Sequence, residues 1–197
     1  MNLEQQIQLS LLKIFPFTAA QIQLFLEKLH VQSFRRNEYL LAPPKVCGFT
    51  AMVLRGGFRM FQRKEEKEHT LHFFTENDWI GDLESFVGQQ PTINHIQATE
   101  KAEVAIISLQ DIHQLIAGDK LFLSLGRIMK DWSVSTHQYT SLIDDNPDTR
   151  YRLLLKNHPD WILRFPQIHL AAYLGMSRET FSRVKRRRLS VYSPRSH

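Results

Sequence analysis

A glycine at position 175, set between two stretches of helical apolar spacing, restricts the fold of this chain more than any other feature. The stretch runs Pro166-Gln167-Ile168-His169-Leu170-Ala171-Ala172-Tyr173-Leu174-Gly175-Met176-Ser177-Arg178-Glu179-Thr180-Phe181-Ser182-Arg183-Val184-Lys185-Arg186. Pro166 suits the first position of a helix, where no backbone donor is needed. Ile168, Ala171, Ala172 and Leu174 give that helix an apolar side, and Gly175 ends it because glycine takes the left-handed cap conformation cheaply. Ser177 is placed to cap a second helix, with Glu179 near its positive end. Phe181 and Val184, three apart, face inward, and small Ala171 lets the two helices cross closely. The stretch therefore predicts two helices joined by a short glycine turn, a helix-turn-helix.

The outward side of the second helix carries Glu179, Arg183 and Arg186, flanked by Arg178, Ser182 and Lys185. Forked arginines suit guanine edges and phosphates, and a carboxylate suits the amino group of cytosine. The charge balance points the same way. Residues 150–197 hold 11 Lys and Arg against 2 Asp and Glu, whereas residues 1–149 hold 14 against 18. The net charge of +5 thus conceals a basic end and an acidic remainder, the footprint expected of a phosphate-binding module. The bland alternative is a packed helix pair with a solvated basic face.

Ahead of this module the pattern changes twice. Leu3, Ile7, Leu11, Leu12 and Ile14 recur at near-helical spacing, and Thr18 with Gln21 offers a capping box for a helix burying Ile22, Phe25, Leu26 and Leu29. Short aromatic and aliphatic runs then follow at 31–35, 38–42, 49–54, 57–62, 69–74, 93–98 and 103–108, separated by turn formers. Such a series without helical interludes predicts a small antiparallel barrel or sandwich. Gly56-Gly57 permits a tight turn or bulge, and Lys64-Glu65-Glu66-Lys67 reads as a charged hairpin turn. Ser108 caps a helix over 109–117, ended by Gly118. A long helical pattern follows from about Lys120 to Ile143, with Leu121, Leu125, Ile128, Met129, Trp132, Leu142 and Ile143 along its seam. Asp144-Asp145-Asn146-Pro147-Asp148 is the best boundary, with Asp145 or Asn146 as cap and Pro147 opening a helix that His158-Pro159 stops.

Gly175-Met176-Ser177-Arg178-Glu179-Thr180-Phe181-Ser182-Arg183 resembles the recognition-helix motif of the Crp/Fnr family of bacterial transcription regulators. The resemblance implies DNA contacts at Ser177, Arg178, Glu179, Thr180 and Arg183, to which the exposed face adds Ser182, Lys185 and Arg186. It implies an α+β chain: a sensor domain over 1–118 with a jelly-roll-like antiparallel β-barrel and flanking helices, a linking and dimerisation helix over 119–144, and a helical helix-turn-helix domain over 145–197. Family members often carry a β-hairpin wing after the recognition helix. Here Leu189-Ser190-Val191-Tyr192 offers one strand at most, so the wing is reduced or absent, and Arg187, Arg188 and Arg195 are candidates for backbone contacts. The implied partners are double-stranded DNA and a second copy of the chain, with room for an unidentified small-molecule effector and RNA polymerase.

The segment Asp78-Trp79-Ile80-Gly81-Asp82-Leu83-Glu84-Ser85-Phe86 loosely resembles the cassette with which the family holds a cyclic nucleotide, making Gly81, Asp82, Leu83 and Glu84 the candidate effector-site residues. The nucleotide binders carry an arginine about eleven residues on, since a buried phosphate demands a paired cation. This sequence has Pro91-Thr92-Ile93 there, with no Arg or Lys between Lys67 and Lys101. An effector other than cyclic AMP is therefore expected, or a vestigial sensor on a constitutive DNA-binding dimer. His69, His72 and His95 invite a metal reading, but their spacing matches no zinc set, and neither a metal nor a cofactor is expected. A cupin-like enzyme with an appended DNA module would need such a set, so no catalytic residues are assigned. Cys47, the single cysteine, excludes an intrachain disulfide and reads as a small core residue. The N-terminus lacks a basic region followed by an apolar core and no run is long enough to span a bilayer, so a cytoplasmic protein is expected.

Overall fold

The computed structural model describes residues 2–65, 67–128 and 146–192, the side chains of 188–192 excepted. The chain divides into two compact units, one of residues 1–60 and 73–135, the other of 61–72 and 136–197.

The first unit opens with α1 (Leu3–Ile14) and α2 (Ala19–Leu26), each started by a capping box, Asn2 with Gln5 and Thr18 with Gln21. These short-range bonds satisfy amide donors that a helix leaves unpaired at its first turn. The strands are β1 (His30–Phe34), β2 (Tyr39–Leu41), β3 (Phe49–Arg55), β4 (Phe58–Lys64), β5 (Lys67–Phe74), β6 (Trp79–Ile80), β7 (His95–Ala98) and β8 (Ala102–Ser108). They form two four-stranded sheets, ordered β1-β8-β3-β6 and β2-β7-β4-β5, the jelly-roll-like arrangement expected from the sequence, with the barrel not closed. The two-residue β6, which the sequence pattern misses, pairs antiparallel with β3 through Ala51–Ile80 and Met52–Trp79. Strand β3 is buried at its centre, where Ala51, Met52 and Val53 are fully covered, and exposed at its Arg55 end. Trp79 donates its indole N–H to Ser10 of α1 at 2.8 Å and meets Phe25 of α2 edge-on at 6.3 Å. The helices thus cover the β3 face that carries Met52. Helix α3 (Leu83–Gly88) follows β6, and α4 (Leu109–Gly118) follows β8 with Ser108 as its cap.

After α4 the chain forms a 3-10 helix over Lys120–Arg127, not the α-helix that the spacing predicts from Lys120. Asp119 accepts from the Leu121 amide and Ser124 bonds the Leu121 carbonyl, so local side-chain bonds favour the tighter turn. Leu125 and Ile128 of the expected seam are buried and Leu121 is 47% exposed. Its remaining positions, Met129, Trp132, Leu142 and Ile143, lie outside the described residues, as does Asp145 of the predicted boundary.

In the second unit, α5 (Pro147–Asn157) starts on Asn146, whose side chain accepts from the Thr149 amide at 2.9 Å. The short α6 (Trp161–Arg164), α7 (Gln167–Tyr173) and α8 (Arg178–Tyr192) follow. Trp161 centres a ring cluster: His158 stacks on it at 3.8 Å, and His72, Tyr173 and Phe165 approach at 5.3, 5.4 and 6.1 Å. Two expectations are corrected here. Leu189–Tyr192 continue α8 and are not a strand, because Lys185 to Leu189 are good helix formers and the next proline is Pro194. The apolar side of α7 is Leu170, Ala171 and Tyr173, with Leu174 just beyond, whereas Ile168 is 56% exposed.

Two measurements test this packing. Gly56 sits at φ +83°, and a Cβ there would lie 2.5 Å from the Lys101 carbonyl oxygen. Gly56→Ala is expected to cost about 2 kcal/mol or more in urea unfolding, combining backbone strain with overpacking. Separately, burial pushes the His72 imidazole down to about 3, with the His158 charge adding to the effect. The unfolded chain takes up that proton near pH 6.5 and the folded chain only near 3, so stability is full above 6.5 and declines as pH falls between them. The decline is bounded by about 1.4 kcal/mol per pH unit and is shallower where water reaches the residue. Unfolding curves from pH 7 to 4 should therefore be flatter for His72→Gln than for the native protein.

Candidate nucleic-acid interface

Helix α8 is amphipathic in the sense that its sequence predicts. Phe181 and Val184 are buried at 0% and 2% exposure, which turns Arg178, Glu179, Arg183 and Arg186 outward. Arg178, Glu179, Ser182, Arg183 and Arg186 line one shallow depression on the outer face. Ser182 and Lys185 are half-buried on its flanks. Ser177 caps the helix by accepting from the Thr180 amide at 3.2 Å, and its hydroxyl lies 3.2 Å from Thr180 Oγ1. The Arg183 guanidinium reaches back to the same Thr180 hydroxyl at 3.5 Å. Ser177 and Thr180 are thus partly committed to shaping the helix start. The Glu179 backbone N–H, the Ser177 hydroxyl and the Arg178 charge hold the Glu179 carboxyl below its ordinary range. It is a charged acceptor at the exposed N-terminal turn.

What fixes the angle of this helix is α5. Gly175 takes φ +60°, the left-handed conformation that the sequence predicts, and the turn leaves carbonyls without helical donors. Arg150 Nη1 donates to the Leu174 carbonyl at 2.6 Å and to that of Gly175 at 3.1 Å. The next residue of α5, Tyr151, meets Phe181 edge-on at 5.5 Å. Asp148 accepts from Arg187 at 3.0 Å, an ion pair between α5 and α8. Arg150 is the residue that sequence reasoning missed. Its only signal was an arginine on a helix preceding a glycine turn.

The cassette candidates are placed together but arranged differently from expectation. Gly81 and Asp82 are buried, Leu83 opens α3, and Glu84 is exposed on its first turn. The Asp82 carboxylate caps the Ser85 amide at 3.4 Å and accepts from Asn94 Nδ2 at 2.9 Å and from the Thr92 hydroxyl. Thr92 and Asn94 are themselves buried. Cys47 closes the back of the cluster: its amide donates to Ser85 Oγ at 2.8 Å and its thiol to the Phe49 carbonyl at 3.3 Å. Burial pushes that thiol up, which suits a packing role. Arg59 of β4, also buried, donates through Nε and Nη2 to Gln97 Oε1 at 3.1 and 2.7 Å. Among the described residues, no group of three or more His, Cys, Asp and Glu converges as a metal set.

With this geometry in view, known proteins are informative. The cyclic nucleotide-binding domain family matches residues 31–119. The cAMP-activated global transcriptional regulator CRP of Salmonella typhimurium is 24% identical over 182 residues, covering 86% of this chain and 87% of the relative. The chain is similar to Crp/Fnr regulators over most of its length. Solved structures agree on the Crp/Fnr fold. FixK2 from Bradyrhizobium japonicum superposes with a TM-score of 0.73 at 13% identity, over 83% of this chain and 85% of its own. The c-di-GMP responsive global regulator CLP of Xanthomonas campestris gives 0.69 at 19%, over 88% and 93%. Against the resemblance, this chain has Pro91-Thr92-Ile93 about where a nucleotide binder's arginine is expected, and α8 runs to Tyr192 where a wing is expected.

The α5 clamp makes a direct prediction. Arg150→Met keeps the aliphatic stem and removes both carbonyl bonds, so it should cost about 1–3 kcal/mol in chemical denaturation. Lys156→Met, at an exposed cation on the same helix, should stay within about 0.5 kcal/mol. Equal costs for the two would remove the clamp from the account.

Proposed function

We propose that this chain is a homodimeric, sequence-specific DNA-binding transcription regulator of Crp/Fnr type. The observation that carries the reading is the outer face of α8, where Arg178, Glu179, Ser182, Arg183 and Arg186 share one depression while Phe181 and Val184 anchor the opposite face. Arg178, Glu179 and Arg183 read bases; Ser177, Thr180, Ser182, Lys185 and Arg186 position the helix and hold phosphates. In domain terms, 1–118 is the sensor, 119–144 the link and dimer contact, and 145–197 the reader. Twofold symmetry sets two such helices about 34 Å apart, one turn of duplex, and an effector acts by shifting that spacing.

The effector is other than cyclic AMP. Asp82, in the place of the family's ribose-binding carboxylate, is buried and engaged by Thr92, Asn94 and the Ser85 amide. A nucleotide entering there would have to break these bonds and bring its phosphate to a cassette with Thr92 in place of the arginine. RNA polymerase is the natural partner of such a regulator, which works in the cytoplasm and needs no catalytic residues.

Selection of bound sites from random duplex DNA at fixed salt tests the reading. The native protein should enrich a palindrome. Arg183→Ala should relax one base position in each half-site, at a cost of about 1–3 kcal/mol. Uniform, salt-sensitive binding with no enriched sequence in either protein would reject base reading by α8. Calorimetric titration with cyclic AMP should show no saturable heat, and saturable binding would overturn the effector assignment.

A further inference from the structure

The first unit holds a cavity of about 180 Å³ apart from the cassette cluster. Its walls are Phe25 of α2, Phe86 of α3, Ile112 and Ile116 of α4, and Phe122 and Leu125 of the 3-10 helix. Thr50 of β3 supplies its polar feature. Met52, two residues along the same strand, pairs with Trp79, whose indole is bonded to α1. Side chains two apart on a strand share a face, so Thr50 points toward the helices and not toward the inner side that Ala51 and Val53 occupy. Neither Asp82, Thr92 nor Asn94 lines the cavity. It is a different place from the one where the family resemblance puts a nucleotide.

The Thr50 hydroxyl is buried and has no hydrogen-bond partner among the described residues. Leaving a hydroxyl so placed is unfavourable, and a valine of the same shape would avoid the penalty. A ligand that bonds the hydroxyl removes the cost. The size and lining decide what fits. A dry cavity of about 150 Å³ lined by Leu, Ile and Phe admits benzene, so this one holds a single ring with one small substituent. Among the described residues no charged side chain lines it, so an ionic ligand would be buried without a counter-charge from them.

We propose that this cavity is a binding site for a neutral, single-ring molecule carrying one hydroxyl or carbonyl group, which bonds Thr50 Oγ1. Leu123, 62% exposed, stands at its rim and marks the side open to solvent. An occupant touches Phe86 on α3, the helix that Asp82 caps, and Gly126 and Ile128, which lead into the linking segment. Its service as an effector site rests on the regulator reading above, whereas binding itself does not.

The probe is phenol, with benzene as its counterpart lacking the hydroxyl, read by isoleucine-methyl NMR on the full chain without DNA. Phenol should shift the Ile112, Ile116 and Ile128 methyl signals saturably. Gly126→Leu fills the cavity from a position where an added Cβ meets nothing within 4 Å, and it should abolish the response while the rest of the spectrum stays native. Thr50→Val should weaken phenol about five-fold and leave benzene unchanged or tighter. Non-saturable shifts, a response that survives Gly126→Leu, or equal effects of Thr50→Val on the two probes would overturn the site. DNA binding assayed in parallel keeps the two readings apart: a chain that binds phenol in this way but selects no DNA sequence retains the cavity site and loses the regulator reading.

Discussion

A helix that ends in a tight turn leaves carbonyl oxygens with no donors of their own, and much of the second unit is organised around meeting that demand between α7 and α8. Arg150 meets it for Leu174 and Gly175. Because Arg150 stands on α5 between Asp148 and Tyr151, three neighbouring positions of one helix grip α8 at separate points. Arg150 holds the turn before it, Tyr151 packs on Phe181 in its first half, and Asp148 pairs with Arg187 further along. A helix seated only by Phe181 and Val184 could roll about its axis. The grip from α5 sets the roll, and the roll decides which side chains face outward. The identity of the exposed face is therefore a consequence of α5 as much as of α8.

The features legible in the sequence are those whose cause is local. Thr18 with Gln21, Ser108, Asn146 and Gly175 each act within a few residues, and each is found in its predicted role. The longer β runs were legible for a similar reason, since alternation and turn formers bound them. Where a partner distant in the chain decides, the sequence misleads. Ile168 looks like an inward residue by spacing, but Leu170 and Tyr173 take the buried positions, with Tyr173 drawn toward the Trp161 ring. Two-residue β6 has no periodicity to read and exists because β3 offers it an edge. Leu189–Tyr192 has strand-like composition, yet it inherits the helix before it because nothing breaks the ladder.

The cassette shows the limit most clearly. Gly81 and Asp82 could be matched to the family motif by type, and the absence of an arginine could be read off directly. What could not be read was the use to which Asp82 is put. A buried carboxylate must be satisfied, and a hydroxyl and an amide from Thr92 and Asn94 can do so without an opposite charge. Thr92 thus supplies a donor to Asp82 in a stretch, from 68 to 100, that carries no Arg or Lys for a phosphate.

That coupling bears on where a ligand can act. A charged effector at the cassette would meet a carboxylate already surrounded by donors, and displacing them would break the buried bonds from Thr92 and Asn94. The cavity beside Thr50 poses the opposite problem, with apolar walls nearly everywhere and one hydroxyl in want of a partner. The two places are linked through α3, which is capped by Asp82 at one end and lends Phe86 to the cavity wall. With its cap fixed by a closed hydrogen-bond cluster, α3 is better suited to register pressure on Phe86 as a change of position than to open its own N-terminus. On the proposed reading, an apolar ligand works with the packing of this unit, whereas a nucleotide would have to break the Asp82 bonds.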